Sequence, residues 1–150
     1  MATVPETSKQ LTDLEAGAWV GFLRSHAAVV RELDAAMTES HGLPLSSFEV
    51  LVRLSQTPDG RQRMSDLAQS VWLSRSGVTR LVDRLERDGL VERTACASDA
   101  RGAFAVITDA GRERLAAARV DHVADVRERF LSRFDPAEQA QLAEFWARLD

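Results

Sequence analysis

At 150 residues and 45% hydrophobic content, the chain is the size of one domain and has enough apolar material for a core, which excludes a disordered tail. A single cysteine, Cys96, excludes an internal disulfide, and the polar start MATVPETSKQ lacks a secretory apolar region, so the expected location is cytoplasmic. No uncharged apolar run approaches the roughly 18 residues that span a membrane. His26, His41 and His122 have no short ligand spacing to one another or to Cys96, so neither a metal nor a cofactor is expected. The net charge of −4 argues at first against a nucleic-acid partner, but its distribution is uneven. Residues 61–101 carry eight arginines and six acids, while the remainder carries 11 basic and 17 acidic residues. Only the middle of the chain is suited to a polyanion.

In chain order, Leu11 to about Glu39 contains no proline, and Leu14, Ala18, Phe22, Val29, Leu33 and Ala36 recur at helical spacing. Trp19, Leu23, His26, Val30 and Met37 widen this apolar side, so the helix has more than one neighbour. Gly42 and Pro44 end it. Ser46 and Glu49 have capping-box spacing and start a second helix that runs through Phe48, Leu51 and Leu54 to about Gln56. After the turn Thr57 to Gly60, Arg61 to Met64 can form a short strand. Ser65 is a suitable N-cap for a short helix carrying Leu67, Ala68 and Val71.

Ser74 then stands at the N-cap position of the helix on which the function turns. Val78, Leu81, Val82 and Leu85 lie at i, i+3, i+4 and i+7, an apolar stripe to be buried. The opposite side carries Ser76, Thr79, Arg80, Asp83, Arg84 and Arg87, with Arg75 in the first turn. Guanidinium forks bond guanine edges or phosphates, and short hydroxyls allow close backbone approach to a groove. Two helices joined by about three residues form a helix-turn-helix, whose second member enters the major groove.

Asp88-Gly89 ends that helix. Leu90 to Arg93 and Phe104 to Ile107 read as strands around a polar loop from Thr94 to Gly102, a hairpin that follows the helix-turn-helix as a wing. In the wing, the Asp99 carboxylate can brace the tip, and Arg101 can enter a narrow minor groove, where the negative potential is strongest. Thr108 opens a helix expected to reach about Phe134. Asp135, Pro136 and Glu138 then give the signature of a last helix with Leu142, Phe145, Trp146 and Leu149. The helices ahead of and behind the middle module carry large apolar residues that have no partner within it. They are expected to bury one another and a second copy, giving a homodimer.

In this order and spacing the residues resemble the multiple-antibiotic-resistance regulator (MarR) family of bacterial transcription factors. The match is carried by Leu67-Ala68, by Ser74 with Gly77 to Glu86, and by Gly89 to Arg93. It continues through Asp99 with Arg101-Gly102 to Thr108 to Gly111. The resemblance implies a mainly α fold with a small β-wing, a winged helix-turn-helix domain flanked by N- and C-terminal dimerisation helices. Residues 1–150 then form a single MarR-like domain, with residues 11–44 and 108–150 as the dimerisation region and 45–107 as the DNA-binding lobe. It further implies a homodimeric repressor that binds a pseudo-palindromic operator and is released by a small, aromatic or anionic ligand. Carried over residue by residue, it gives recognition-helix contacts to Arg75, Ser76, Thr79, Arg80 and Arg84 and the minor-groove contact to Arg101. The family's wing usually reads Asp-Arg-Arg; Ala100 here removes one phosphate contact. Arg80 and Arg84 have a competing structural reading as ion-pair partners of Asp83, Glu86 or Asp88.

Trp19, Phe22, His26 and Arg53 are candidates for an effector pocket between the first two helices and the lobe, with dimer core as the plain alternative for the aromatics. A redox-sensing repressor using Cys96, set between Arg93 and Arg101, is an alternative mechanism. A winged-helix protein-interaction module without DNA is another, although it favours an apolar outward face. An enzyme is not expected, because no Gly-rich phosphate loop, GxSxG or HExxH is present.

Overall fold

The computed structural model describes the backbone of residues 10–71, 75–97 and 99–149, and within these every side chain except those of residues 75 and 99–101. Among the described residues, six α-helices and three strands follow in the order α1 (Asp13–His41), α2 (Leu45–Ser55), β1 (Arg61–Arg63), α3 (Met64–Ser70), α4 (Arg75–Arg87), β2 (Val91–Cys96), β3 (Asp99–Ile107), α5 (Asp109–Arg129) and α6 (Pro136–Trp146). The fold is mainly α with a small antiparallel sheet, as the sequence leads one to expect.

Local chemistry sets most helix ends. Thr12 and Glu15 form a reciprocal capping box at the start of α1, and the left-handed Gly42 (φ 59°) closes its end. The predicted capping box between Asp135 and Glu138, with Pro136 at the first helical position, is present at α6. Thr108 caps α5 by accepting from the Gly111 N–H.

Two predicted caps are absent. Pro44 takes the N-cap position of α2 and no side chain bonds there in the capping-box manner. Instead Asp34 of α1 reaches across and accepts from the Leu45 N–H at 2.8 Å, leaving Ser46 and Glu49 without that role. Arg63 rather than Ser65 stands at the N-cap of α3, and the Ser65 hydroxyl donates to Asp66. The predicted N-cap Ser74 lies outside the described residues.

The wing differs more. The stretch read as a loop from Thr94 to Gly102 is largely strand, with Thr94 paired to Phe104, Ala95 to Ala103 and, after a register shift, Cys96 to Asp99. β3 is the central strand in the order β1-β3-β2, because Arg61 to Arg63 pair with Val106 to Phe104 on its other edge. The last long helix stops at Arg129 rather than near Phe134; a 3₁₀ turn (Leu131–Arg133) then bends the chain toward α6.

One core joins the layers. Leu51 and Leu54 of α2, Leu67 of α3, Val78, Val82 and Leu85 of α4, and Val91 and Ala105 of the sheet are all fully buried together. Leu33 and Met37 of α1 extend this cluster to Leu115 and Ala118 of α5. The far ends are different: α6 has no buried residue, and Leu14, Trp19, Val20, Val120, Phe145 and Leu149 are exposed.

Candidate nucleic-acid interface

Helix α4 is anchored by the stripe the sequence predicts, since Val78, Leu81, Val82 and Leu85 are all buried. Ser76, Thr79, Arg80, Asp83, Arg84 and Arg87 are exposed on its other side. The helix ends in paired bonds, Gly89 N–H to the Glu86 carbonyl and Leu90 N–H to the Leu85 carbonyl, with Gly89 left-handed at φ 72°. This closure turns the chain directly into β2.

Among the described side chains of α4, Arg80, Arg84 and Arg87 are not taken up by the acids of their own helix. Arg80 donates through Nε to the Ser76 carbonyl at 3.3 Å, and Arg84 donates to the hydroxyl of buried Ser47 on α2 at 3.4 Å. Asp83 and Glu86 pair with Arg93 of β2 instead, at 2.6 and 2.7 Å. Between the start of α2 and α4 lies a cleft of about 360 Å³ lined by Ser46, Gly77, Arg80, Leu81, Arg84 and Arg87. The local sequence pattern gives Ser46 a capping role and does not mark Arg87 as a contact. Their juxtaposition depends on how α2 packs on α4, which no local pattern encodes. The side chains of Arg75, Asp99 and Arg101 lie outside the described residues; their backbones stand at the start of α4 and in β3.

The four candidate effector residues do not come together. Phe22 and His26 line a groove of about 430 Å³ between α1 and the segment from Phe130 to Trp146, and it is almost wholly apolar. Trp19 packs beside Phe22, with ring centroids 6.2 Å apart, and Phe22 packs on Trp146 at 5.4 Å. Arg53 lies elsewhere, in a cleft of about 390 Å³ between α2, α3 and α5 that also presents Glu49, Gln56, Ser70 and His122. The His122 ring packs on Phe48 at 4.7 Å, and its Nδ1 is buried without a hydrogen-bond partner. Burial pushes the His122 pKa below its ordinary value, against the pull of Asp125 and Glu49.

Cys96 is 7% exposed, which removes the accessibility that a reactive wing thiol requires. Arg93, one of the cations expected to activate it, is committed to Asp83 and Glu86. Among the described residues no helix is long and apolar enough to cross a membrane.

The sequence profile of the MarR family matches residues 43–102, from the start of α2 into the wing. AbsC, a MarR-family transcriptional regulator from Streptomyces coelicolor, is 34% identical, with 95% of each chain covered and a TM-score of 0.85. The chain belongs to the MarR family. A second MarR-family regulator from Streptomyces coelicolor, Sco3205, solved in complex with DNA, is 33% identical with a TM-score of 0.87, over 94% of this chain and 89% of that one. The HTH-type regulator YkoM of Bacillus subtilis is 31% identical over 113 residues, 75% of this chain and 71% of its own length. This MarR-family chain is therefore a DNA-binding transcription regulator with a winged helix, and its relatives are regulators rather than enzymes.

Proposed function

We propose that the protein acts as a homodimeric repressor whose two copies of α4 enter successive major grooves of a pseudo-palindromic operator. The observation that carries this reading is the division of α4 into a buried apolar stripe and an exposed side of Ser76, Thr79, Arg80, Arg84 and Arg87. Hydroxyl and guanidinium groups on a rigidly seated helix are what base edges and phosphates require. An interaction module without DNA would instead expose apolar groups there. Arg75 joins this set by its place in the first turn of α4, and the wing supplies Asp99 and Arg101, the latter to the minor groove. Residues 45–107 serve as the DNA lobe and residues 11–44 and 108–150 as the dimer region.

Dimerisation is supported by the exposed apolar side chains of α1, α5 and α6, which exceed what a monomer leaves in water without a reason. Regulation by a small ligand is supported by the cleft at Arg53. There the Arg53 cation, the aromatic Phe48 and the His122 ring line one cleft between the DNA lobe and α5. A planar anion fits those groups. Trp19, Phe22 and His26 fit better as interface core than as ligand contacts.

The test is enrichment of bound duplexes from a random-sequence pool, followed by titration of the winner at two salt concentrations. Specific binding predicts an inverted-repeat motif and affinity that falls steeply with salt. No enrichment over input would overturn the reading.

A further inference from the structure

Two carboxylates, Asp83 and Glu86, stand among the cations of α4, and close to phosphates each would oppose binding. Both are engaged by one side chain. Arg93, 25% exposed, donates through one terminal nitrogen to Asp83 Oδ1 at 2.6 Å and through the other to Glu86 Oε2 at 2.7 Å. The first of these also donates to the Thr79 carbonyl at 3.2 Å, and the Arg93 backbone N–H donates to Glu86 Oε1 at 3.2 Å. Thr79, Asp83 and Glu86 are at i, i+4 and i+7, so the guanidinium runs along one edge of the exposed side of α4, the edge nearest Arg93 of β2.

We propose that Arg93 is a positioning residue for DNA binding: it draws the Asp83 and Glu86 carboxylates back against β2, so that α4 meets DNA with its hydroxyl and guanidinium side uncontested. The proposal rests on α4 being the recognition helix. Arg93 acts through the two acids and not through a contact of its own with phosphate. Its fork makes this arrangement feasible, because two of its nitrogens reach separate carboxylates at once, which a lysine ammonium on a flexible stem does with less directional control. The pairs are partly solvated, so their effect on folding stability is small and their effect on what the DNA meets is the larger one.

The experiment measures affinity of the full chain for the labelled duplex that wild-type protein enriches from a random-sequence pool. It compares Arg93→Gln, Asp83→Asn/Glu86→Gln and the triple variant, with helical circular dichroism and melting on each. Arg93→Gln is expected to weaken binding roughly tenfold, the scale of coupling within one hydrogen-bonded network, at a temperature where the fold is intact. The double acid variant binds within about twofold of wild type or tighter, and adding Arg93→Gln to it costs less than about twofold. A purely structural role lowers melting and leaves affinity of the folded protein unchanged, which overturns the proposal. Equal losses from Arg93→Gln in both backgrounds overturn it too, since they mark a direct phosphate contact. If Arg93→Gln does not fold, the double acid variant decides alone: binding clearly weaker than wild type refutes the shielding role. Failure of wild-type protein to enrich any duplex is a different result, and it removes the recognition-helix reading on which the proposal stands.

Discussion

The Asp34 carboxylate of α1 accepts the Leu45 N–H of α2 at 2.8 Å, so the first turn of α2 is capped by a residue of the preceding helix, eleven positions back. The bond satisfies a donor that α2 itself leaves open and ties α1 to the first turn of α2. Asp34→Ala is expected to destabilise the fold by about 1–2 kcal/mol in urea denaturation, the range of lost caps and charge-assisted bonds. Ser46→Ala and Glu49→Ala, which the sequence alone marks as the capping pair, are expected to stay within about 0.5 kcal/mol of wild type. A larger loss at Ser46 than at Asp34 reverses this assignment.

That contrast shows what a sequence of this kind encodes openly. Caps formed by residues three apart, at Thr12 and Glu15 or at Asp135 and Glu138, are local, and so is the stripe of Val78, Leu81, Val82 and Leu85. Asp34 on Leu45, Arg93 on Asp83 and Arg84 on Ser47 are not, because each depends on how separate elements pack. The sequence pattern shows only the base of the wing for a related reason. Thr94, Ala95 and Ala103 are too small and polar to show strand alternation, yet β3 sits between two partners and its ladder carries them into the sheet. The candidate effector residues divide between two grooves, because apolar spacing on α1 cannot say which side of the helix faces α2 and which faces α6.

The junction behind the wing is tight. The Thr108 hydroxyl donates to the Gly89 carbonyl at 2.7 Å while accepting from the Gly111 N–H at 3.0 Å, tying the end of α4 to the start of α5. A Cβ at Gly111 overlaps the carbonyl oxygen of Leu90 and presses on Ile107. Gly111→Ala is therefore expected to cost about 1–3 kcal/mol, as overpacked sites do. Thr108→Val is expected to cost about 1 kcal/mol through the lost cap. Denaturant midpoints measure both, and a neutral Gly111→Ala contradicts the close approach.

Acid should weaken the fold through His122. Its pKa in the folded chain lies below the ordinary 6.5, chiefly from burial, so the unfolded chain binds the proton more readily. This contribution to stability is therefore complete above about pH 6.5 and is lost as pH falls toward the folded value. His122→Gln, neutral throughout, is expected to flatten the stability curve between pH 7 and 5 relative to wild type. An unchanged slope in that variant places the acid sensitivity elsewhere.

Contacts to DNA should separate by their position on α4. Thr79 and Arg80 sit on the exposed side toward the first half of the helix, where recognition helices reach base edges, while Arg87 stands at its end, in the cleft with Ser46. Arg80→Ala is expected to cost about 1–3 kcal/mol on the enriched duplex and much less on random DNA. Arg87→Ala is expected to weaken both alike and to lower the salt slope by about one. Uniform loss from both variants would falsify the division into base and backbone contacts.

The apolar ends of the chain give the remaining prediction. Leu14 is 84% exposed and Phe145 47% exposed, on the first and last helices, far from the shared core. Within one copy Leu14 is left largely in water and Phe145 is covered only in part, with Arg148 over its ring at 5.1 Å, whereas a second copy placing its own α1 and α6 there removes both from water. Leu14→Glu/Phe145→Glu puts charges where two copies would meet and leaves the DNA lobe untouched, so light scattering is expected to shift from dimer to monomer mass. Affinity for an inverted repeat should then fall about 100-fold or more, because the second half-site contact ceases to be intramolecular. Affinity for a single half-site should change little. Wild-type protein that runs at monomer mass at micromolar concentration, or a charged variant that still binds the inverted repeat at full strength, rules out pairing through these helices.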